Sequence, residues 1–173
     1  KKGHEFRLQN GMASAGREYV PGVIPRSDRM AEQGLYEDGK KGIRRLTEPD
    51  LRVKDQDLDG IQAEVLYGIL GAAERLQDPP AAAEMVRIYN DWLSGFCSAY
   101  PERFAGIASL PDHDPEGAAE EIYRVAKFGT LRGVEVPLRF DMAPLFDESW
   151  TPVWRAADEC ELPIHFHTLG GKR

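Results

Sequence analysis

From residue 48 onward, apolar positions recur along the chain in two alternating rhythms. Short, mostly apolar runs at 62–69, 104–110, 133–138 and 163–168 read as strands whose two faces are both covered. Between them lie segments with the 3.6-residue period of helices. "EPDLRVKDQDLDG" places Pro49 in a first turn and Gly60 just past the end, the usual positions of a helix start and stop. "DPPAAAEMVRIYNDWLSGFCSAY" is a long helix, with Met85, Ile88, Tyr89, Trp92, Leu93 and Phe96 predicted to form its buried face. "DPEGAAEEIYRVAKFG" has Asp114 as N-cap, Pro115 at N1 and Gly129 as stop. "DESWTPVWRAADECE" follows, with Trp150 and Trp154 four apart on one packing face.

Residues 1–47 lack this regularity. They are rich in Gly, Arg, Lys and Pro, and only "GHEFRLQNG" alternates enough for a short strand ending in an Asn-Gly turn. The expected organisation is an N-terminal hairpin and loop excursion over 1–47, lying near a barrel mouth, followed by the regular part over 48–173.

Strands alternating with helices at intervals of about 30 residues imply βα units and a parallel sheet. The pattern fits two architectures: a doubly wound sheet, or part of a (β/α)8 barrel, which needs about 250 residues. The text stops at "GGKR", directly after the last predicted strand, and this favours the partial barrel. The chain also begins on Lys1, so the start of its gene product is expected upstream.

Composition narrows the function classes. With 42% hydrophobic and 29% charged residues, the chain has the make-up of an ordinary globular protein. The net charge of −7, with basic residues dispersed among acids, speaks against nucleic acid as a partner. No apolar stretch approaches the roughly 20 residues of a membrane span, and the N-terminus lacks a secretory core. Cys97 and Cys160 have no CxxC partner and read as free thiols in a reducing cytoplasm.

Function in α/β folds gathers at the C-terminal ends of strands. There the sequence offers Tyr67 and Gly68, Asp112 and His113, Arg139, and His167 with Thr168. His165 and His167, two apart on one strand, share a face with Cα atoms roughly 6.6 Å apart. His167 at the mouth can ligate a metal through one nitrogen; equally, both rings can be hydrogen-bonded pocket residues. His113 is expected on an exposed loop. Arg139 is either a surface residue or a guanidinium that pairs with a substrate carboxylate. The aspartates of "DLRVKDQDLDG" lack the spacing of a calcium loop, and no GxGxxG, P-loop or GxSxG occurs.

The succession "DLDGIQAEVLYGIL", "YNDWLSGFCSAYPERFAGIASLPDHDPEGAAEEIYR", "LRGVEVPL" and "PLFDESWTPVWRAADECELPIHFHT" resembles the amidohydrolase-related family of the aminocarboxymuconate-semialdehyde decarboxylase type. The resemblance runs over about residues 48–171. It implies that the predicted strands are the second to fifth of a (β/α)8 barrel whose first strand and C-terminal half are absent here. It further implies one divalent metal, zinc first and manganese second. The family's metal is held by a first-strand HxH, a fifth-strand histidine and an eighth-strand aspartate, with a sixth-strand histidine assisting. By this resemblance His167 is the fifth-strand ligand and His165 its deeper neighbour, outside the ligand set.

The activity implied is non-oxidative decarboxylation, or hydrolysis, of a small carboxylated aromatic or unsaturated substrate. Arg139 and Arg7 are the candidates for substrate binding. The full-length enzyme is expected to form a homo-oligomer, and residues 1–173 alone are expected to be inactive. The rival reading is a metal-free α/β module that binds a ligand or partner without turnover.

Overall fold

The computed structural model describes residues 47–68, 76, 78–111, 113–139 and 142–168. The predicted hairpin of residues 1–47 therefore lies almost wholly outside the described residues, and Arg7 with it. Helix α1 (Pro49–Asp59) opens on Pro49 and ends where Gly60 turns left-handed at φ 71°. The Ile61 amide then reaches back to the Gln56 carbonyl at 2.8 Å. This turn feeds strand β1 (Glu64–Leu66).

Few of the residues of α1 are apolar, and only Val53 and Gln56 on it are buried. Polar contacts dock it instead. Arg52 and Gln56 both donate to the Glu64 carboxylate, at 2.6 and 2.8 Å, and Arg103 reaches Asp57 at 2.7 Å.

Helix α2 (Pro79–Ser98) connects β1 to β2 (Phe104–Ser109), and α3 (Pro115–Ala126) connects β2 to β3 (Leu131–Leu138). A 3-10 turn at Glu148–Trp150 and helix α4 (Thr151–Glu159) lead to β4 (Ile164–Thr168). Asp78 and Asp114 cap α2 and α3 by accepting from the Ala81 and Gly117 amides.

All neighbouring strands pair in parallel, in the order β1-β2-β3-β4. A doubly wound sheet reverses its order at a switch point. None occurs among the described strands, and the sequential order is that of a (β/α)8 barrel. Right-handed crossovers in that order put α2, α3 and α4 on one face of the sheet.

The core forms between those helices and that face, around Leu93, Phe96, Cys97, Phe104, Ala108, Ile122, Val125, Val134, Val136, Val153 and Ala156. Burying each large apolar side chain contributes roughly 1.5–3 kcal/mol. Gly106 makes the contact close: a Cβ there would stand 2.8 to 3.0 Å from Leu131, Cys97 and Leu93 atoms. Trp150 is buried, donates its indole N–H to the Ala143 carbonyl at 3.1 Å and stacks on Trp154 with ring centroids 5.9 Å apart.

The buried face of α2 differs from the expected one. It carries Ala82, Val86, Asn90, Leu93, Phe96 and Cys97, whereas Ile88 and Trp92 remain 62% and 43% exposed. This face mixes small residues with Leu93 and Phe96, and Gly106 gives the Leu93 and Cys97 side chains room against the strand. A tilted ring series, Tyr89–Trp92–Phe96–Phe104, covers the flank with centroid spacings of 5.6, 5.3 and 4.9 Å. Buried Asn90 is satisfied from three sides. It donates to the Ser109 carbonyl (2.9 Å) and to Glu121 (2.7 Å), and it accepts from the Ser109 amide (2.9 Å). Arg124 forks onto both Glu121 oxygens at 2.6 and 2.7 Å.

Candidate active site

Paired residues of parallel strands share a face, so the register decides what stands together. An irregularity beside Gly106 and Ile107 lets Arg132 stand outside the pairing. Beyond it Ile107 pairs with Gly133 and Ser109 with Glu135. Glu135 in turn pairs with His165, and Pro137 with His167. The face opposite the helices therefore carries Ser109, Glu135, His165 and His167 in adjacent rows.

Tyr67, directly after β1, leans across to this group. Its hydroxyl lies 3.0 Å from His165 Nδ1, and its ring stands edge-on to His165 and His167 at centroid distances of 5.5 and 6.0 Å. Tyr89 on α2 holds the Tyr67 carbonyl from behind, donating at 3.2 Å. Burial first, and then the Glu135 charge, push the Tyr89 phenol up to about 12, so it stays a donor.

Two glycines make the packing possible. A Cβ on Gly68 would meet Ser109 Oγ at 1.8 Å, and one on Gly133 would meet the Pro163 carbonyl at 2.9 Å and the His165 ring at 3.2 Å. The His165 imidazole thus lies over backbone where a side chain would otherwise stand.

Glu135 is the buried charge of the site, only 2% exposed. The Gly68 amide bonds its carboxylate, while Oε2 has no hydrogen-bond partner. His167 Nδ1 stands 4.0 Å from that oxygen. Burial raises the Glu135 carboxyl above its ordinary range, against the opposing pull of His167 and the Gly68 amide. An isolated buried carboxylate is costly, and such groups concentrate at functional sites.

The structure brings together His165 and His167 of the predicted residues, with Tyr67 and Gly68 from the list of strand ends. His113 is exposed on the loop before α3. Arg139 follows β3 directly and is half-buried, its backbone amide donating to Met142 Sδ at 3.2 Å. Glu135 was not foreseen. Its signal was an acidic residue inside the otherwise apolar "RGVEVPL", one layer below the strand end.

A metal ion asks for neutral imidazole and carboxylate donors. His167, half-exposed at the strand end with a carboxylate behind it, fits as one such donor. Among the described residues no group of three or more His, Cys, Asp or Glu is placed to hold a metal by itself. No described helix is long and apolar enough to cross a membrane.

The amidohydrolase family model matches residues 44–172. The chain belongs to the amidohydrolase family. Among its relatives, the γ-resorcylate decarboxylase of Polaromonas sp. (strain JS666) is 33% identical, over 68% of this chain and 38% of that protein. The 2-amino-3-carboxymuconate-6-semialdehyde decarboxylase of Dictyostelium discoideum is 26% identical, over 69% of this chain and 33% of that one.

Among solved structures, 5-carboxyvanillate decarboxylase from Novosphingobium aromaticivorans superposes with a TM-score of 0.64 at 29% identity. The match covers 72% of this chain and 36% of that one. That crystal contains manganese and 4-hydroxy-3-methoxy-5-nitrobenzoic acid. The amidohydrolase chain described here thus spans well under half the length of the relatives it matches, and its sheet is part of their barrel.

Proposed function

We propose that this amidohydrolase chain is part of a metal-dependent enzyme that non-oxidatively decarboxylates a small aromatic carboxylic acid. The observation that carries the reading is His167: a half-exposed imidazole at the C-terminal end of β4, backed by a buried carboxylate, in a chain related to decarboxylases. The relatives named above share decarboxylation, which favours it over hydrolysis.

His167 supplies one nitrogen to a divalent metal. The manganese of the 5-carboxyvanillate enzyme favours that ion over the zinc that the sequence resemblance put first. When bound, the metal supplies Lewis-acid polarisation of a substrate oxygen. The chain's own residues shape the cavity around it. Tyr67 and His165, held by their 3.0 Å contact, form a wall against which an aromatic ring packs edge-on. The buried Glu135 charge repels a substrate carboxylate from the floor and directs it toward the mouth. There Arg139, on the loop after β3, is the proposed partner; Arg7, outside the described residues, is a second candidate for the carboxylate. A reducing cytoplasm suits the two free cysteines, Cys97 and Cys160.

The test uses the full-length protein loaded with manganese, with γ-resorcylate and 5-carboxyvanillate as trial substrates and released CO2 as the readout. The expected result is about one equivalent of metal, measurable CO2 release, and loss of both in His167→Ala. Retention of metal and activity by that variant, or no CO2 from either acid, removes the reading.

A further inference from the structure

Glu135 is out of place if the sheet is considered only as a scaffold. It stands in the third of four parallel strands, between Val134 and Val136, which are both fully buried. Its own carboxylate is 2% exposed and keeps one oxygen, Oε2, without a hydrogen bond. A buried polar atom left unpaired costs about 1–3 kcal/mol, and more when it carries charge. Such a residue detracts from folding, so its benefit lies elsewhere.

Its surroundings narrow what that benefit is. Gly68 after β1 gives it a backbone amide, Tyr89 of α2 stands within its electrostatic reach, and Ser109 and His165 are its register partners. The basic atom facing the unpaired oxygen is His167 Nδ1, at 4.0 Å. That distance is longer than a hydrogen bond.

An imidazole that ligates through one nitrogen needs its other N–H held, because the held nitrogen fixes both the tautomer and the plane of the ring. We propose that Glu135 is a positioning residue for His167: its Oε2 accepts the Nδ1 proton, fixing the Nδ1–H tautomer and leaving the Nε2 lone pair for the metal. The idea rests on the metal-centre reading of His167 and adds the residue that orients the ring. It requires the 4.0 Å gap to close by a rotation of the half-exposed His167 ring, in the metal-free protein as in the loaded one. Gly68 contributes a backbone N–H to the Glu135 carboxylate, while Oε2, 4.0 Å from His167 Nδ1, is left without a hydrogen bond.

The test uses full-length protein and three measurements: manganese affinity by chelator competition, imidazole 15N shifts of His167 in the metal-free protein, and the metal-free melting temperature. Glu135→Leu removes the acceptor, whereas Glu135→Gln keeps a neutral one. In the wild type, His167 is expected as the Nδ1–H tautomer. In Glu135→Leu, manganese binding weakens about 10–100-fold, both tautomers appear, and the melting temperature stays level or rises. Glu135→Gln falls between the two in affinity and tautomer.

A merely structural Glu135 predicts the reverse, a lower melting temperature with unchanged tautomer. Wild-type protein showing Nε2–H, or Glu135 variants binding manganese as tightly as wild type, overturns the proposal. Should the leucine variant fail to fold, the near-isosteric glutamine variant decides alone by the same two criteria. The underlying reading fails separately: wild-type protein that takes up no equivalent of manganese, or His167→Ala that binds it unchanged, removes the metal centre itself.

Discussion

The two faces of the four-stranded sheet are built by the same strands and have opposite chemistry. Toward the helices the strands present Phe104, Ala108, Val134 and Val136, all buried in one apolar cluster. Away from them they present Ser109, Gly133, Glu135, His165 and His167, and Tyr67 leans in from the end of β1. One face turns apolar area into stability. The other holds a buried carboxylate with an unpaired oxygen and rings that touch through polar edges, so it gives stability up. Alternate residues of one strand thus serve folding and chemistry separately, and substitutions on each face should leave the other's readout almost untouched.

The largest expected effect lies on the polar face. His167→Ala should abolish stoichiometric metal uptake by the full-length protein, a loss beyond the roughly 100-fold expected of an outer partner. Chemical denaturation of the metal-free protein should shift by no more than about 0.5 kcal/mol, because the ring is half-exposed. A large fall in metal-free stability would erase the division between the faces.

Next is the converse. Phe104→Ala should cost about 3–5 kcal/mol in a urea titration, with metal per folded molecule unchanged. Asn90→Ala sharpens the comparison, because Asn90 belongs to the helix side yet grips Ser109 at the end of β2. Leaving the Ser109 amide and carbonyl buried without partners should cost about 1–3 kcal/mol. It should also lower kcat/KM more than Val134→Ala does at matched stability.

The smallest effect concerns the sheet's β1 edge. Hydrogen bonding from Arg52 first, with help from Gln56, holds the Glu64 carboxyl below its ordinary range against the opposing effect of burial. Its folded value is therefore lower than its unfolded one. The contribution is complete above the unfolded carboxylate range and disappears as pH falls through the folded value. Glu64→Gln should cost about 1 kcal/mol at neutral pH and flatten the acid limb of the stability profile, read by thermal melts from pH 7 downward.

Much of this was readable in the sequence, and the failures have physical causes. Apolar runs marked all four strands, although only β2 and β3 are largely buried along their length, and Val65 of β1 and Phe166 of β4 are each 52% exposed. Pro49, Asp114 and Gly129 marked helix ends because each satisfies a specific backbone requirement there. Barrel and doubly wound sheet were not separable, because strand order is a tertiary property that hydrophobic period does not record. Leu93 and Phe96 are buried on α2 as expected, but Ile88 and Trp92 are not; hydrophobicity alone ranks them above Ala82 and Asn90. Close approach at Gly106 instead brings Leu93 and Cys97 against the strand, and the Ser109 amide and carbonyl are met by the Asn90 side chain. Glu135 escaped notice for a related reason: attention to strand ends passes over a carboxylate one row deeper.

The Asn90 side chain has one further consequence. Its amide offers a carbonyl and an N–H to a single backbone residue, the same pair that a neighbouring peptide unit would present. At Ser109 the helix stands in for one more turn of main chain, so the last residue of β2 is fixed from within the domain. The segment that follows is thereby released from holding the strand in place. It can change in length or composition without moving Ser109 or the carboxylate beside it.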